Sequence, residues 1–341
     1  MIVESLLYER LFNQAVRCHI CQHRCRIEEG KWGNCRTRIN KGGKLYSTIY
    51  GEVSTWRRAP IEIKPVYHYL PGSYALSLGS LGCNFLCPGC QNWDISFARV
   101  EEFSKQTEYI SPDESIRLAV KNECSGISWT YNEPTLWFEY TLHGAILAKG
   151  KGLYTNYVTN GFITPEALDK IGPYLDVFRV DIKGFDKKTY SRIAHITNWR
   201  RILEVIQRAG RKWHMHVELV TNIIPLINDD PAHLKALAQW IKNELSSDTP
   251  WHITRFYPNW RMSDIPPTPL KTLETICEIA LAEGLKYVYI GNVPDHQRNN
   301  TYCPKCGKTL IERKNWDRVK CLIKGGTCPE CMEKIAGKFT S

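Results

Sequence analysis

A chain of 341 residues, 43% hydrophobic and 23% charged, is long enough for one large buried domain with smaller modules attached, and its balance is that of a globular rather than a disordered protein. The net charge of +10 is spread along the chain instead of gathered in one run, so no dedicated nucleic-acid tail stands out, and no apolar run approaches the roughly 18 residues of a membrane span. The 14 cysteines recur in C-x2-C and C-x3-C spacings and the first residues lack a signal-peptide pattern, which points to metal ligation in a reducing cytoplasm rather than to secreted disulfides.

Residues 1–60 carry Cys18, Cys21, Cys25 and Cys35, four thiols within 18 positions. So short a segment buries too little apolar surface to fold alone, and a metal held by the four thiolates supplies the missing free energy. Spacing leaves zinc and an iron–sulfur cluster both open. His19 and His23 are read as surface residues, since four cysteines already complete a site. A hairpin is expected from Lys44 to Tyr50, after the turn Lys41-Gly42-Gly43.

From 61 to 295 short apolar runs alternate with helix-period stretches. Strands are predicted at Ala75–Leu81, Gly126–Tyr131, Leu153–Thr159, Val177–Ile182, His214–Val220, His252–Phe256 and Tyr287–Ile290. Helices are predicted at Ser115–Asn122, Leu136–Ala148, Ala167–Ile171, Arg201–Ala209, Ala232–Leu245 and Pro269–Ala282. The alternation implies βα units and a parallel sheet, and leaves an open doubly wound sheet or a barrel as alternatives. Ser111, Thr164 and Asp230 each precede a proline and are placed as helix caps. Just after the first predicted strand stand Cys83, Cys87 and Cys90, spaced C-x3-C-x2-C. Soft thiolates in this pattern suit three irons of a four-iron cluster and leave the fourth iron open.

Residues 296–341 hold Cys303, Cys306, Cys328 and Cys331 as two C-P-x-C knuckles, the spacing of a structural zinc ribbon, with Cys321 surplus between them. Cys124 and Cys277 are read as packing residues.

The triad after a first strand, followed by βα units, resembles the radical S-adenosylmethionine (SAM) superfamily. That resemblance implies a partial (β/α)6 barrel with small cysteine-rich modules at both ends. It also implies a [4Fe-4S] cluster on Cys83, Cys87 and Cys90 whose open iron binds SAM. An electron from a reduced ferredoxin- or flavodoxin-type donor then cleaves SAM to methionine and a 5′-deoxyadenosyl radical, which abstracts a hydrogen atom. The family's usual aromatic residue before the third cysteine is Gly89 here, with Phe85 or Trp93 as substitutes against the adenine.

Further residues carry the resemblance. Trp129-Thr130-Tyr131-Asn132-Glu133-Pro134 falls where the family has a Gly-Gly-Glu-Pro-like turn, so Asn132 and Glu133 inherit contacts to the SAM ammonium, with helix capping as the alternative. Asn160 is placed near the methionyl or ribose group, and Asn92 is assigned to SAM binding. Asp181-Ile182-Lys183 resembles the Asp-x-Lys of glycyl-radical-enzyme activating enzymes, including pyruvate formate-lyase activating enzyme, which assigns Asp181 and Lys183 to SAM as well. Over nearly the whole chain the sequence resembles the radical SAM protein of the AmmeMemoRadiSam system. The implied substrate is a protein partner, with a small molecule, peptide or RNA as the alternative. Asn222, Arg255, Tyr257, His216, Tyr67 and His68 are candidates to touch it. A zinc-stabilised nucleic-acid-binding protein without radical chemistry is the reading from another class.

Overall fold

The apolar runs form strands, and the helix-period segments between them form helices. In chain order these are β1 (Tyr74–Gly79), α1 (Pro112–Lys121), β2 (Gly126–Trp129), α2 (Phe138–Gly150), β3 (Tyr154–Thr159), α3 (Pro165–Ile171), β4 (Val177–Asp181), α4 (Lys187–Ala194), α5 (Arg200–Trp213), β5 (His216–Ile223), α6 (Pro231–Trp240), β6 (Trp251–Arg255), α7 (Leu270–Ala282) and β7 (Val288–Gly291). The computed structural model describes residues 1–98, 100 and 106–340. It divides into two units, one of Met1–Arg58, Ala75–Phe178 and Asn198–Met215, the other of Ala59–Tyr74, Arg179–Thr197 and His216–Ser341.

In the first unit β2 pairs in parallel with β1 and with β3, and Asp176 at the root of β4 donates its N–H to the Thr155 carbonyl. In the second unit β6 pairs in parallel with β5 and β7, and Ile182 just past β4 donates to Val220. Successive strands are therefore neighbours with no reversal of order. That is the winding of a (β/α) barrel array and not of a doubly wound sheet, which reverses at a switch point.

Side-chain alternation sorts the faces of the strands. Trp129 of β2 lies against Gly144 of α2, where an added Cβ would come within 2.9 Å of its ring, and Tyr157 of β3 hydrogen-bonds Thr141 of α2. The opposite face carries Ser77, Ser128 and Asn156 in register across β1, β2 and β3. Helix starts follow the expected chemistry: the Ser111, Thr164 and Asp230 side chains accept from the N–H groups of Glu114, Ala167 and Ala232.

Residues 1–58 add two small antiparallel sheets, Val3–Glu4 with Lys44–Ser47 and Arg38–Lys41, and Tyr8–Arg10 with Val16–Cys18 and Arg26–Ile27. The hairpin turns at Gly42 and Gly43, whose φ values of 60° and 69° suit a two-residue turn with both central residues left-handed. The expected hairpin segment is its second arm, which ends at Ser47.

In the second unit a buried polar hub ties the segment before β1 to β5, β6 and the carboxyl-terminal module. Glu218, with no exposed surface, accepts from the Tyr67 and His68 N–H groups and from Nε2 of His216 and His252, all at 2.6–2.8 Å. The ribbon strands Thr301–Tyr302, Thr309–Lys314 and Arg318–Cys321 pack Cys303 and Cys328 into a core with Tyr67, Tyr287 and Tyr289.

Candidate functional site

At the carboxyl end of β1 the chain turns through Gly82, at φ 80°, into the loop of Cys83, Cys87 and Cys90. All three cysteines are half-buried and outside any disulfide. Phe85 N–H donates to the Cys83 sulfur at 3.4 Å, and the Cys90 thiol lies 3.6 Å from Ser96 Oγ. The packing around Cys83 pushes its thiol well above the usual range, and the nearby Glu133 and Cys87 add to this. Ligation by a cation is what turns such a thiol into a thiolate.

Asn132, Glu133, Asn160 and Asn92 are brought to the ends of the first three strands, where they brace this loop. Asn132 accepts from Ser80 N–H at 3.1 Å and donates to the Gly82 carbonyl at 2.8 Å. Asn92 donates to the Tyr131 carbonyl at 2.6 Å. Glu133 is 1% exposed, and its carboxylate accepts from Thr135 N–H, Thr159 Oγ1 and Asn160 N–H at 3.0, 2.7 and 2.8 Å. Burial raises its pKa against those hydrogen bonds. The helix-cap geometry is thus present, with both carboxylate oxygens engaged by the chain's own donors. Asn160 donates to Asn84 Oδ1 at 2.7 Å, beside the first cysteine.

Asn84, 5% exposed, keeps its Nδ2 buried with no acceptor among the described residues. Such a group next to Cys83 suits the inorganic sulfides of an iron–sulfur cluster, which would accept from it. Ser77 Oγ and Asn156 Oδ1, on the strand face away from α2, are likewise buried without partners. The residues present therefore fit a cluster on the three cysteines with a polar ligand beyond it. Phe85 does not stand as an adenine wall: it is 2% exposed and packs on Phe162, whereas Trp93 is exposed.

In the second unit Asp181 stands at the end of β4 between Arg179, 2.7 Å away, and Lys183, at 3.7 Å. Burial would raise its carboxyl, but the two cations outweigh it and hold the pKa low. Arg179 is the member that sequence reading passed over, although residues 179, 181 and 183 share one side of an extended strand. Among the substrate candidates, Tyr67 and His68 are buried in the hub, while His216 is half-buried and hydrogen-bonded to Glu218. Asn222 lies within reach of Thr254 at 3.3 Å, and Arg255 donates to Thr268. Tyr257 is exposed and donates to the Asn292 carbonyl.

The ribbon thiols converge. Cys303, Cys306, Cys328 and Cys331 have sulfurs all within 4.8 Å of one another, with Cys303–Cys331 at 3.6 Å and Cys306–Cys328 at 3.7 Å. Four thiolates about 2.3 Å from one ion would be arranged in this way. Cys18, Cys21, Cys25 and Cys35 line a single cavity. Cys321 packs against the ribbon core, and Cys124 and Cys277 are buried.

Comparison with known proteins gives the same picture. The family model of the radical SAM superfamily matches residues 78–241. An uncharacterized protein of Methanocaldococcus jannaschii is 39% identical over 97% of this chain and 98% of its own length. The (2S)-3-sulfopropanediol dehydratase activating enzyme of Klebsiella oxytoca is 23% identical over 35% of this chain and 37% of its own. The fold is shared with Streptococcus suis SuiB, solved bound to precursor peptide SuiA, at TM-score 0.51 and 12% identity over 68% of this chain and 51% of that one. With the C-x3-C-x2-C loop at the end of the first strand of a (β/α) array, the chain belongs to the radical SAM superfamily.

Proposed function

We propose that the protein is a radical SAM enzyme of the activating-enzyme type, acting in the cytoplasm on a protein partner and drawing electrons from a reduced ferredoxin or flavodoxin. When bound, a [4Fe-4S] cluster and SAM supply reductive cleavage to a 5′-deoxyadenosyl radical that takes a hydrogen atom from the substrate. The observation that carries the reading is the Cys83 loop with the Asn84 Nδ2 group, buried and without an acceptor among the described residues, beside it.

This chain's own residues have separable tasks. Cys83, Cys87 and Cys90 hold the cluster. Asn132, Asn92, Glu133 and Asn160 fix the loop's backbone, so its thiols need little reorganisation on loading. Ser77 and Asn156 offer a hydroxyl and an amide oxygen to the methionyl or ribose part of SAM. Asp181, flanked by Arg179 and Lys183, stays ionised and supplies a charged patch for SAM. The ribbon cysteines hold zinc as a structural ion. Activating-enzyme relatives favour a protein substrate over a small molecule, peptide or RNA, and membership of the superfamily leaves no ground for a purely nucleic-acid-binding role. We read residues 1–60, 61–295 and 296–341 as the three modules.

The test is anaerobic reconstitution with iron and sulfide, then dithionite and SAM. Wild type is expected to release 5′-deoxyadenosine, and Cys87→Ala to release none while keeping its zinc. No release from fully loaded wild type would rule out the radical reading. Deuterium transfer from a labelled protein partner into 5′-deoxyadenosine separates a protein substrate from the alternatives.

A further inference from the structure

The two carboxyl-terminal knuckles and the amino-terminal cysteines both look like zinc sites by spacing, yet the structure builds them differently. Among the described residues, the ribbon is the one group of three or more Cys, His, Asp or Glu ligands whose ligand atoms converge within 4.8 Å. The amino-terminal thiols instead surround a cavity. Cys18, Cys21, Cys25 and Cys35 line it together with Ile20 and Leu136. Cys18, Cys21 and Cys35 are buried to 6–7% exposure. A single zinc about 2.3 Å from each sulfur needs thiolates that meet at a point. An iron–sulfur cluster is a body with its own sulfides, and its thiolates stand at its corners.

A second observation concerns the wall of the cavity. Arg38 lines it at 1% exposure, with one guanidinium edge on Glu139 at 2.8 and 3.0 Å, while its Nε–H has no acceptor among the described residues. A buried donor of this kind is completed by an acceptor that a bound group brings beside it. Inorganic sulfide is one, and a closed zinc tetrathiolate adds none beyond the cysteines.

The module is also built into the loop of the SAM-binding site. His23, between Cys21 and Cys25, donates Nε2–H to the Asn84 carbonyl at 2.8 Å. The Cys35 carbonyl and Thr37 side chain sit 3.0 and 2.4 Å from where a Cβ on Gly82 would be. Cys21 forms a β-bridge with Ile163, just beyond Asn160.

From the cavity, the orphaned Arg38 donor and this adjacency, we propose that Cys18, Cys21, Cys25 and Cys35 hold an iron–sulfur cluster of their own, packed directly behind the loop of Cys83. The test uses the full chain, loaded anaerobically with iron and sulfide in the presence of zinc. In the variant Cys83→Ala/Cys87→Ala/Cys90→Ala the amino-terminal module is untouched. It is expected to retain iron and sulfide in matching amounts, one zinc per chain, and a cluster electron-paramagnetic-resonance signal after dithionite reduction. Adding Cys18→Ser and Cys21→Ser to that variant is expected to abolish the remaining iron. Adding Cys306→Ser and Cys331→Ser instead is expected to abolish the zinc and leave the iron. A triple variant without iron and sulfide overturns the proposal, whether it carries one zinc or two. So does iron that persists after loss of Cys18 and Cys21.

Discussion

Asn160→Ala removes the donor that meets Asn84 Oδ1 at 2.7 Å, leaving that buried oxygen with only the Cys83 thiol at 3.9 Å. An unsatisfied buried acceptor costs about 1–3 kcal/mol. The variant is expected to melt lower and to bind less iron in the Cys83 loop, as thermal denaturation and metal analysis would show. Two titrating groups in the second unit set a pH dependence of opposite signs. Burial raises Glu62 from 4.5 to about 7, with Arg313, 3.8 Å away, only partly offsetting it. Its contribution to stability is therefore present in acid and lost as pH rises through about 7. Burial lowers His68 from 6.5 to about 4, where it is held between the Ala336 carbonyl and the Tyr289 hydroxyl, so its contribution is lost as pH falls from 6.5 toward 4. Between roughly pH 4.5 and 6.5 the two slopes oppose each other. Glu62→Gln is expected to expose the His68 slope, so that denaturant midpoints fall with acidification more steeply than in wild type. Equal slopes in the two proteins would refute the pairing.

At the scale of elements, α3 shows a cap doing two jobs. Thr164 Oγ1 accepts from Ala167 N–H and also lies 2.6 Å from the His19 carbonyl, to which it donates. Thr164→Ala is expected to exceed the usual ~1 kcal/mol of a lost cap, and to loosen the amino-terminal cysteines, seen as faster hydrogen exchange at residues 18–25. The cap was legible because Thr-Pro-Glu announces a helix start. So were the seven strands, since short apolar runs between turn residues have few alternatives. The ends were harder. The expected strand from His214 begins at His216, because His214 takes a left-handed conformation to close α5. That helix runs past Gly210 to Trp213, where Lys212 and Trp213 reach Asp169 at 2.9 Å. No local signal announces a tertiary contact 43 residues away. The helix α4 went unanticipated: it is eight residues long and lies right after the Asp-x-Lys motif. For the site, cysteine spacing and the Asn and Glu positions were legible as a group. What each polar atom touches was not: Glu133, assigned to SAM by resemblance, also accepts three hydrogen bonds from its own chain.

For the molecule as a whole, metal and core are one system. Cys303 and Cys328 belong to the same buried cluster as Tyr67, Tyr287, Tyr289, Leu310 and Ile311. Removing the ribbon metal should therefore lower the melting temperature of the whole second unit rather than fray a tail, as calorimetry before and after a zinc chelator would show, with iron content unchanged. Cys321→Ser is expected to leave the ribbon's metal stoichiometry intact, since four other sulfurs already converge. Among the described residues no helix is long and apolar enough to cross a membrane. Gly82 carries a consequence for the loop of Cys83. This residue, just before the loop's first cysteine, rests against the Cys35 carbonyl and the Thr37 side chain, with no room for a Cβ. Position 82 thus couples the two segments: a side chain there is accommodated only if the loop or the amino-terminal segment gives way.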